Sequence, residues 1–130
     1  SWWGVFSISN NTPSISTYAQ YKKVKAPDFA IQSGPRLIVN GRIPKLKDGL
    51  AQRTALGITH DNKVIIVVTE NNPLSTEELA VLMKSKPLSC VHALNLDGGS
   101  STQVYAKIND FTLSALGFSA VSDAVLVLKK

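Results

Sequence analysis

At 130 residues the chain is long enough for one domain with a sizeable core. Apolar residues make up 44% and charged ones 18%, which excludes a disordered chain, and no apolar run nears the roughly 18 residues of a membrane span. The net charge of +5 favours anionic partners, but the basic residues are scattered (Lys22, Lys23, Lys25, Lys45, Lys47, Lys84, Lys86, Lys129, Lys130) and interleave with no aromatic stripe, which argues against nucleic acid.

Along the chain, Ser1-Trp2-Trp3-Gly4-Val5-Phe6 has no basic lead, long apolar core or cleavage site, so it does not read as a signal peptide. It reads as the middle of a strand, and the chain is expected to begin partway through a larger protein. Ser7 to Pro27, rich in Ser, Asn and Thr, reads as an irregular excursion with a short helix. From Phe29 the pattern sharpens. Leu37-Ile38-Val39 is a β-branched strand ending in Asn40-Gly41, residues suited to a tight hairpin turn. Thr54 to Thr59 and Val64 to Thr69 pair around His60-Asp61-Asn62-Lys63. Val64-Ile65-Ile66-Val67-Val68 is apolar throughout, which predicts a strand buried on both faces.

Ser75 and Glu78 form a capping box that starts a helix, with Glu77 and Glu78 at its positive end and Lys84 and Lys86 at the other. Leu79, Leu82 and Met83 make its apolar stripe, and Pro87 ends it. Ala93 to Leu96 is a short strand, followed by a Gly-rich loop, a strand near Gln103 to Ile108, and a last strand over Ala124 to Leu128. The pattern predicts an α+β fold: a mixed, largely antiparallel sheet with one well-defined helix packed on it. The single Cys90 forms no internal disulfide, and with only His60 and His92 it cannot build a zinc site. No metal and no cofactor is expected. Both histidines read as surface or packing residues, and Cys90 as a small buried apolar group.

The segment with most chemistry is Asn95-Leu96-Asp97-Gly98-Gly99-Ser100-Ser101-Thr102. A strand there ends in a carboxylate, two glycines and three hydroxyls. Gly98 and Gly99 let the backbone come close to a ligand, consecutive N–H groups suit an anion, and Asp97 can act as acid, base or nucleophile. A plain Asp-Gly turn fits the local pattern equally well. It is not a nucleotide P-loop, because the Gly-Lys-Ser/Thr ending is absent. In Phe29-Ala30-Ile31-Gln32-Ser33-Gly34-Pro35-Arg36-Leu37, polar Gln32 and Ser33 interrupt a strand and Gly34-Pro35 places Arg36, a guanidinium suited to phosphate or carboxylate. Arg53 heads a strand of small and apolar residues. Taken singly, an ordinary bulge and a surface arginine account for these two segments as well.

Taken together, FAIQSGPRL (Phe29 to Leu37), RTALG (Arg53 to Gly57), VIIVVTE (Val64 to Glu70) and ALNLDGGSSTQ (Ala93 to Gln103) resemble the phosphodiester glycosidase family. That family includes the lysosomal uncovering enzyme and bacterial exopolysaccharide-biosynthesis-like relatives. The resemblance runs from about Phe29 onward. It implies hydrolysis of a sugar-1-phosphodiester, such as an N-acetylglucosamine phosphodiester, with Arg36 and Arg53 clamping the phosphate. Asp97 would stabilise or attack the developing cation or activate water, with Glu70 as second carboxylate, although a salt-bridged strand end explains Glu70 equally. Gln32, Ser33, Asn95, Gly98, Gly99, Ser100, Ser101 and Thr102 would bind sugar hydroxyls or phosphate oxygens. By family habit the protein would be exported. Trp2 and Trp3 alternate, so one can face the core while the other stacks on a sugar.

The chain departs from the family pattern in three places. An earlier Asn-Gly-Gly-type segment is absent, so residues 1–130 are expected to be the C-terminal part of a larger domain, completed by a further N-terminal section or another chain. Asn71-Asn72-Pro73 stands where relatives have Gly-Arg, and Ser119 where some have Arg. An alternative function is therefore a non-catalytic module that binds a phosphorylated or acidic glycan.

Overall fold

The computed structural model describes residues 2–130; Ser1 lies outside them. The chain runs β1 (Gly4–Ser9), β2 (Thr12–Ser16), α1 (Tyr18–Tyr21), β3 (Phe29–Ser33), β4 (Arg36–Ile38), β5 (Thr54–Thr59), β6 (Val64–Val68), α2 (Thr76–Lys84), β7 (Cys90–Asn95), β8 (Val104–Ile108) and β9 (Phe111–Ala115). Every named strand pair is antiparallel, and the fold is α+β with one main helix, as the sequence predicts.

The strands form a three-stranded sheet ordered β2-β1-β3, a four-stranded sheet ordered β4-β7-β5-β6, and the separate hairpin β8-β9. Alternation along β5 shows how the layers stack, because successive side chains point to opposite faces. Ala55 joins Leu37, Ile38, Ala93 and the helix residues Leu79, Ala80 and Met83 in one core. Leu56 and Ile58, on the other face, join Leu94 with Phe6 and Ile15 of the smaller sheet. The molecule is thus helix, four-stranded sheet and three-stranded sheet in layers, with a core on each face of the central layer.

Helix α2 follows its local signals. Ser75 accepts from the Glu78 N–H at 3.1 Å, and the Glu78 carboxylate accepts the Ser75 N–H at 2.8 Å. Its buried stripe is Thr76, Leu79, Ala80 and Met83, whereas Leu82, expected inside, is 45% exposed. Small Ala80 faces the sheet instead, and this lets the helix lie closer.

Three other expectations are corrected. β6 is not buried on both faces: Ile65 and Val67 pack towards α2, while Val64 and Ile66 remain exposed. β6 is the last strand of its sheet. The segment 7–27 carries the expected short helix, α1, but is not irregular ahead of it, because β1 continues to Ser9 and turns at Asn10-Asn11 into β2. Both asparagines have positive φ, 49° and 58°, as a two-residue hairpin turn requires. Ala124 to Leu128 forms no strand; Val125 packs on the second core, while Leu126, Val127 and Leu128 stay exposed. The sequence reading also omits β9, which pairs with β8 through a turn at Asn109-Asp110. Among the described residues no helix is long and apolar enough to cross a membrane.

Candidate functional site at one end of the central sheet

Antiparallel pairing brings the chemically loaded segments together. β4 and β5 start, and β6 and β7 finish, at the same end of the four-stranded sheet. Ser33 to Arg36, Gln52-Arg53, Thr69-Glu70 and Asn95 to Thr102 therefore all lie along that end. Helix α2 also begins there, because the Ala51–Leu74 bridge holds the segment before the helix against the segment before β5.

Hydrogen bonds fix the spacing of these segments. The buried Asn95 side chain donates to the carbonyls of Gly34 (3.2 Å) and Leu96 (2.7 Å), and the Asn95 N–H donates to Pro35. Asn95 thus ties the β3–β4 link to the Asp97 loop; its Oδ1 is buried without a hydrogen-bond partner. The Gly34-Pro35 bond is cis, and a Cβ on Gly34 would lie 3.1 Å from the Trp2 carbonyl, so the link packs tightly under the N-terminal tryptophans. Gln32 is exposed on β3, paired with Val5, and Ser33 pairs with Gly4.

The Asp97 loop leans on the segment before β5. The Gly99 N–H donates to the Gln52 carbonyl at 2.8 Å, and a Cβ on Gly98 would come within 2.7 Å of the same oxygen. Gly98 is needed there for close approach, while Gly99, at φ +60°, is needed for conformation. Asp97 is exposed, and its Oδ1 accepts the Gly98 N–H at 3.0 Å. Ser100 accepts the N–H groups of Phe118 and Ser119 at its carbonyl, and its hydroxyl pairs with that of Ser119 at 2.7 Å. The Thr102 hydroxyl lies 3.5 Å from that of Thr54, and Ser101 sits in the short 3-10 turn beside it. On the other side of β5, the Thr69 hydroxyl accepts the Arg53 N–H at 2.7 Å, and Glu70 is exposed just beyond. Asp97 and Glu70 extend two strands with β5 between them, so their backbones lie about 10 Å apart, two strand spacings.

A cleft of about 440 Å³ opens beside this end, over the Gly34-Pro35 link. Arg53 and Thr76 line it together with Trp2, Trp3, Lys47 and Asp48. Arg53 donates through Nε to the Leu74 carbonyl at 2.8 Å and through a terminal nitrogen to Gly49, so it braces the cleft wall with part of its fork. Burial lowers its pKa from the usual value. The Lys47 ammonium sits over the Trp2 ring, 5.3 Å from its centroid. Arg36 lies in a second groove of about 230 Å³ on the far side of Pro35 and Trp2, with Lys45.

Of the residues singled out in the sequence, Arg53 thus lines the larger cleft, Arg36 lines the adjoining groove, and Asp97 and Glu70 stand at the same sheet end. Lys47, Asp48 and Thr76 also line the cleft, although the sequence pattern singles out none of them. They have no local motif, and the cleft joins residues 2–3 to residues 47–53 only through the fold. Trp2 and Trp3 both stay exposed, rather than one entering the core.

No curated protein matches the chain. The sequence model of one family, described as phosphodiester glycosidase, matches residues 1–128. That span extends ahead of Phe29 to the first strands and takes in the Asp97 loop and both arginine segments. The chain belongs to the phosphodiester glycosidase family.

Proposed function

We propose that this chain hydrolyses a sugar-1-phosphodiester, breaking the bond between the anomeric carbon and the phosphate oxygen. The observation that carries the reading is the gathering, at one end of one sheet, of two exposed carboxylates with a cationic, aromatic-walled cleft. Arg53 and Lys47 hold the phosphate in the larger cleft, with Arg36 adjoining, and stabilise the charge left on the departing oxygen. The departing group is a phosphate monoester, already a good leaving group, so the demand on a general acid is small. Asp97, held at its loop by Gly98 and Gly99, faces the anomeric carbon and stabilises the cationic transition state or activates water, with Glu70 as its partner across β5. Asn95 shapes the pocket from below, while Gln32, Ser33, Ser100, Ser101 and Thr102 supply polar contacts around the sugar.

The decisive experiment measures sugar release from N-acetylglucosamine-α-phosphate esters and related sugar-1-phosphodiesters. The native chain should turn them over, and Asp97→Asn should lose about 10²–10⁴-fold in rate while still binding substrate. One observation favours a second reading: neither Asp97 nor Glu70 lines the larger cleft, whose own carboxylate is Asp48. A module that only binds phosphorylated glycans would bind the esters and release no sugar in either form.

A further inference from the structure

We propose that the two cationic grooves flanking Trp2 act together on one ligand, an oligomeric glycan carrying at least two phosphodiester groups, one in each groove. The inference rests on the sugar-phosphodiester reading above and names the kind of sugar phosphodiester the site takes.

The Trp2 carbonyl accepts the Arg36 N–H at 2.9 Å, so the backbone is pinned beside β4, yet the residue is left 52% exposed. Both grooves share Trp2 and Pro35 as a common wall. On one side stand Arg53 and Lys47, on the other Arg36 and Lys45. Four cationic side chains thus face one carboxylate, Asp48, and they are divided into pairs by an exposed aromatic ring.

A single phosphate is too small to fill both grooves, which share Pro35 and Trp2 as lining. A chain with phosphates on either side of a sugar can fill both, with the sugar ring against the indole and a phosphate on each flank. The volumes fit that division. About 440 Å³ lies within the roughly 300–1,000 Å³ of ordinary small-molecule sites, and about 230 Å³ falls below it and suits one small group. Exposed lysines hold a lone phosphate weakly, since water and salt screen the pair. Linking two phosphates makes the second contact intramolecular, and its effective concentration then multiplies the affinity.

The test uses intrinsic fluorescence, because Trp2 and Trp3 are the only tryptophans in the chain. Full-length Asp97→Asn is titrated with glycans joined by one or by three sugar-1-phosphodiester links, a neutral oligosaccharide and inorganic phosphate. The three-link glycan should bind at least about tenfold more tightly than the one-link glycan. Lys45→Ala, a change at an exposed residue, should abolish that gain, whereas Lys47→Ala should weaken binding of both glycans. Equal affinity for the two glycans, a gain that survives Lys45→Ala, or equally tight binding of the neutral oligosaccharide would overturn the inference. If the gain is present but the native chain hydrolyses nothing, the paired grooves stand and the hydrolase reading falls. Hydrolysis of one-link esters without any gain means the reverse.

Discussion

Gly57 decides how closely α2 can approach the central sheet. A Cβ built on it would lie 2.8 Å from the Met83 Cε and closer still to the Cys90 sulfur, both fully buried. Gly57→Ala should therefore destabilise the fold by about 1–3 kcal/mol, as overpacking does, and chemical denaturation would measure it. An unchanged denaturation midpoint would show that the helix can shift at no cost. His92 gives the second prediction at this scale. Its Nδ1 accepts the Asn40 N–H at 3.4 Å, and burial, with the Arg36 cation as a lesser cause, lowers its pKa. The unfolded imidazole titrates near ~6.5, so the unfolded chain binds a proton more readily than the fold does. The associated stability is present in full above that pH and is lost as pH falls towards the lower folded pKa. Melting temperature should therefore drop between pH 7.5 and 5.5, and His92→Gln should drop less. Equal drops in both proteins would mean that another group carries the effect.

At the scale of elements, local signals were legible wherever they act locally. The Ser75–Glu78 box is read from residues three apart, and both of its hydrogen bonds form. Ser75→Ala should cost about 1 kcal/mol in thermal or chemical unfolding, the usual loss for an N-cap. No measurable change would mean that α2 is held by the Leu79 and Met83 contacts alone. The capping carboxylate adds a pH signature. Its pKa is lowered by hydrogen bonds from Ser75, so its contribution is present above the ordinary glutamate range and disappears as pH falls below it. What was not legible depends on neighbours distant in sequence. An apolar run such as Val64 to Val68 cannot say whether its second face meets another layer, and here Val64 and Ile66 on that face stay exposed. Ala124 to Leu128 has a strand pattern, yet Leu126, Val127 and Leu128 stay exposed and no strand forms. The Asn10-Asn11 turn did have a signal, two residues tolerant of positive φ, but the Ser-rich surroundings and Pro13 disguise the strands it joins.

For the whole molecule, the site is a consequence of strand order. Alternating strand direction places two strand starts and two strand ends on one edge, and each delivers a segment already conspicuous for its polar or glycine residues. These segments could be picked out individually, but their convergence and the tryptophan-walled cleft exist only in three dimensions. The same architecture sets how firmly each part is held. β5 and β7 are central and buried, whereas the Asp97 loop rests on Gly117 to Ser119, a segment at the periphery beyond the β8–β9 hairpin. Gly117 is packed so closely that a Cβ would meet the Ser100 carbonyl at 2.8 Å, and the Ser119 and Ser100 hydroxyls pair at 2.7 Å. The loop is thus held on one side by the Gln52 carbonyl before β5 and on the other by a peripheral contact that contributes little to either core. Ser119→Ala should leave the unfolding midpoint nearly unchanged, speed amide hydrogen exchange across Gly98 to Thr102, and lower sugar-release activity by about tenfold, since misplacing a reacting group by a fraction of an ångström costs rate rather than fold. Exchange in β5 and β7 should stay slow in both proteins. If exchange in the loop does not change, Ser119 is not what positions Asp97. Faster exchange with full activity would mean that Asp97 acts from a loop whose exact placement the reaction does not need.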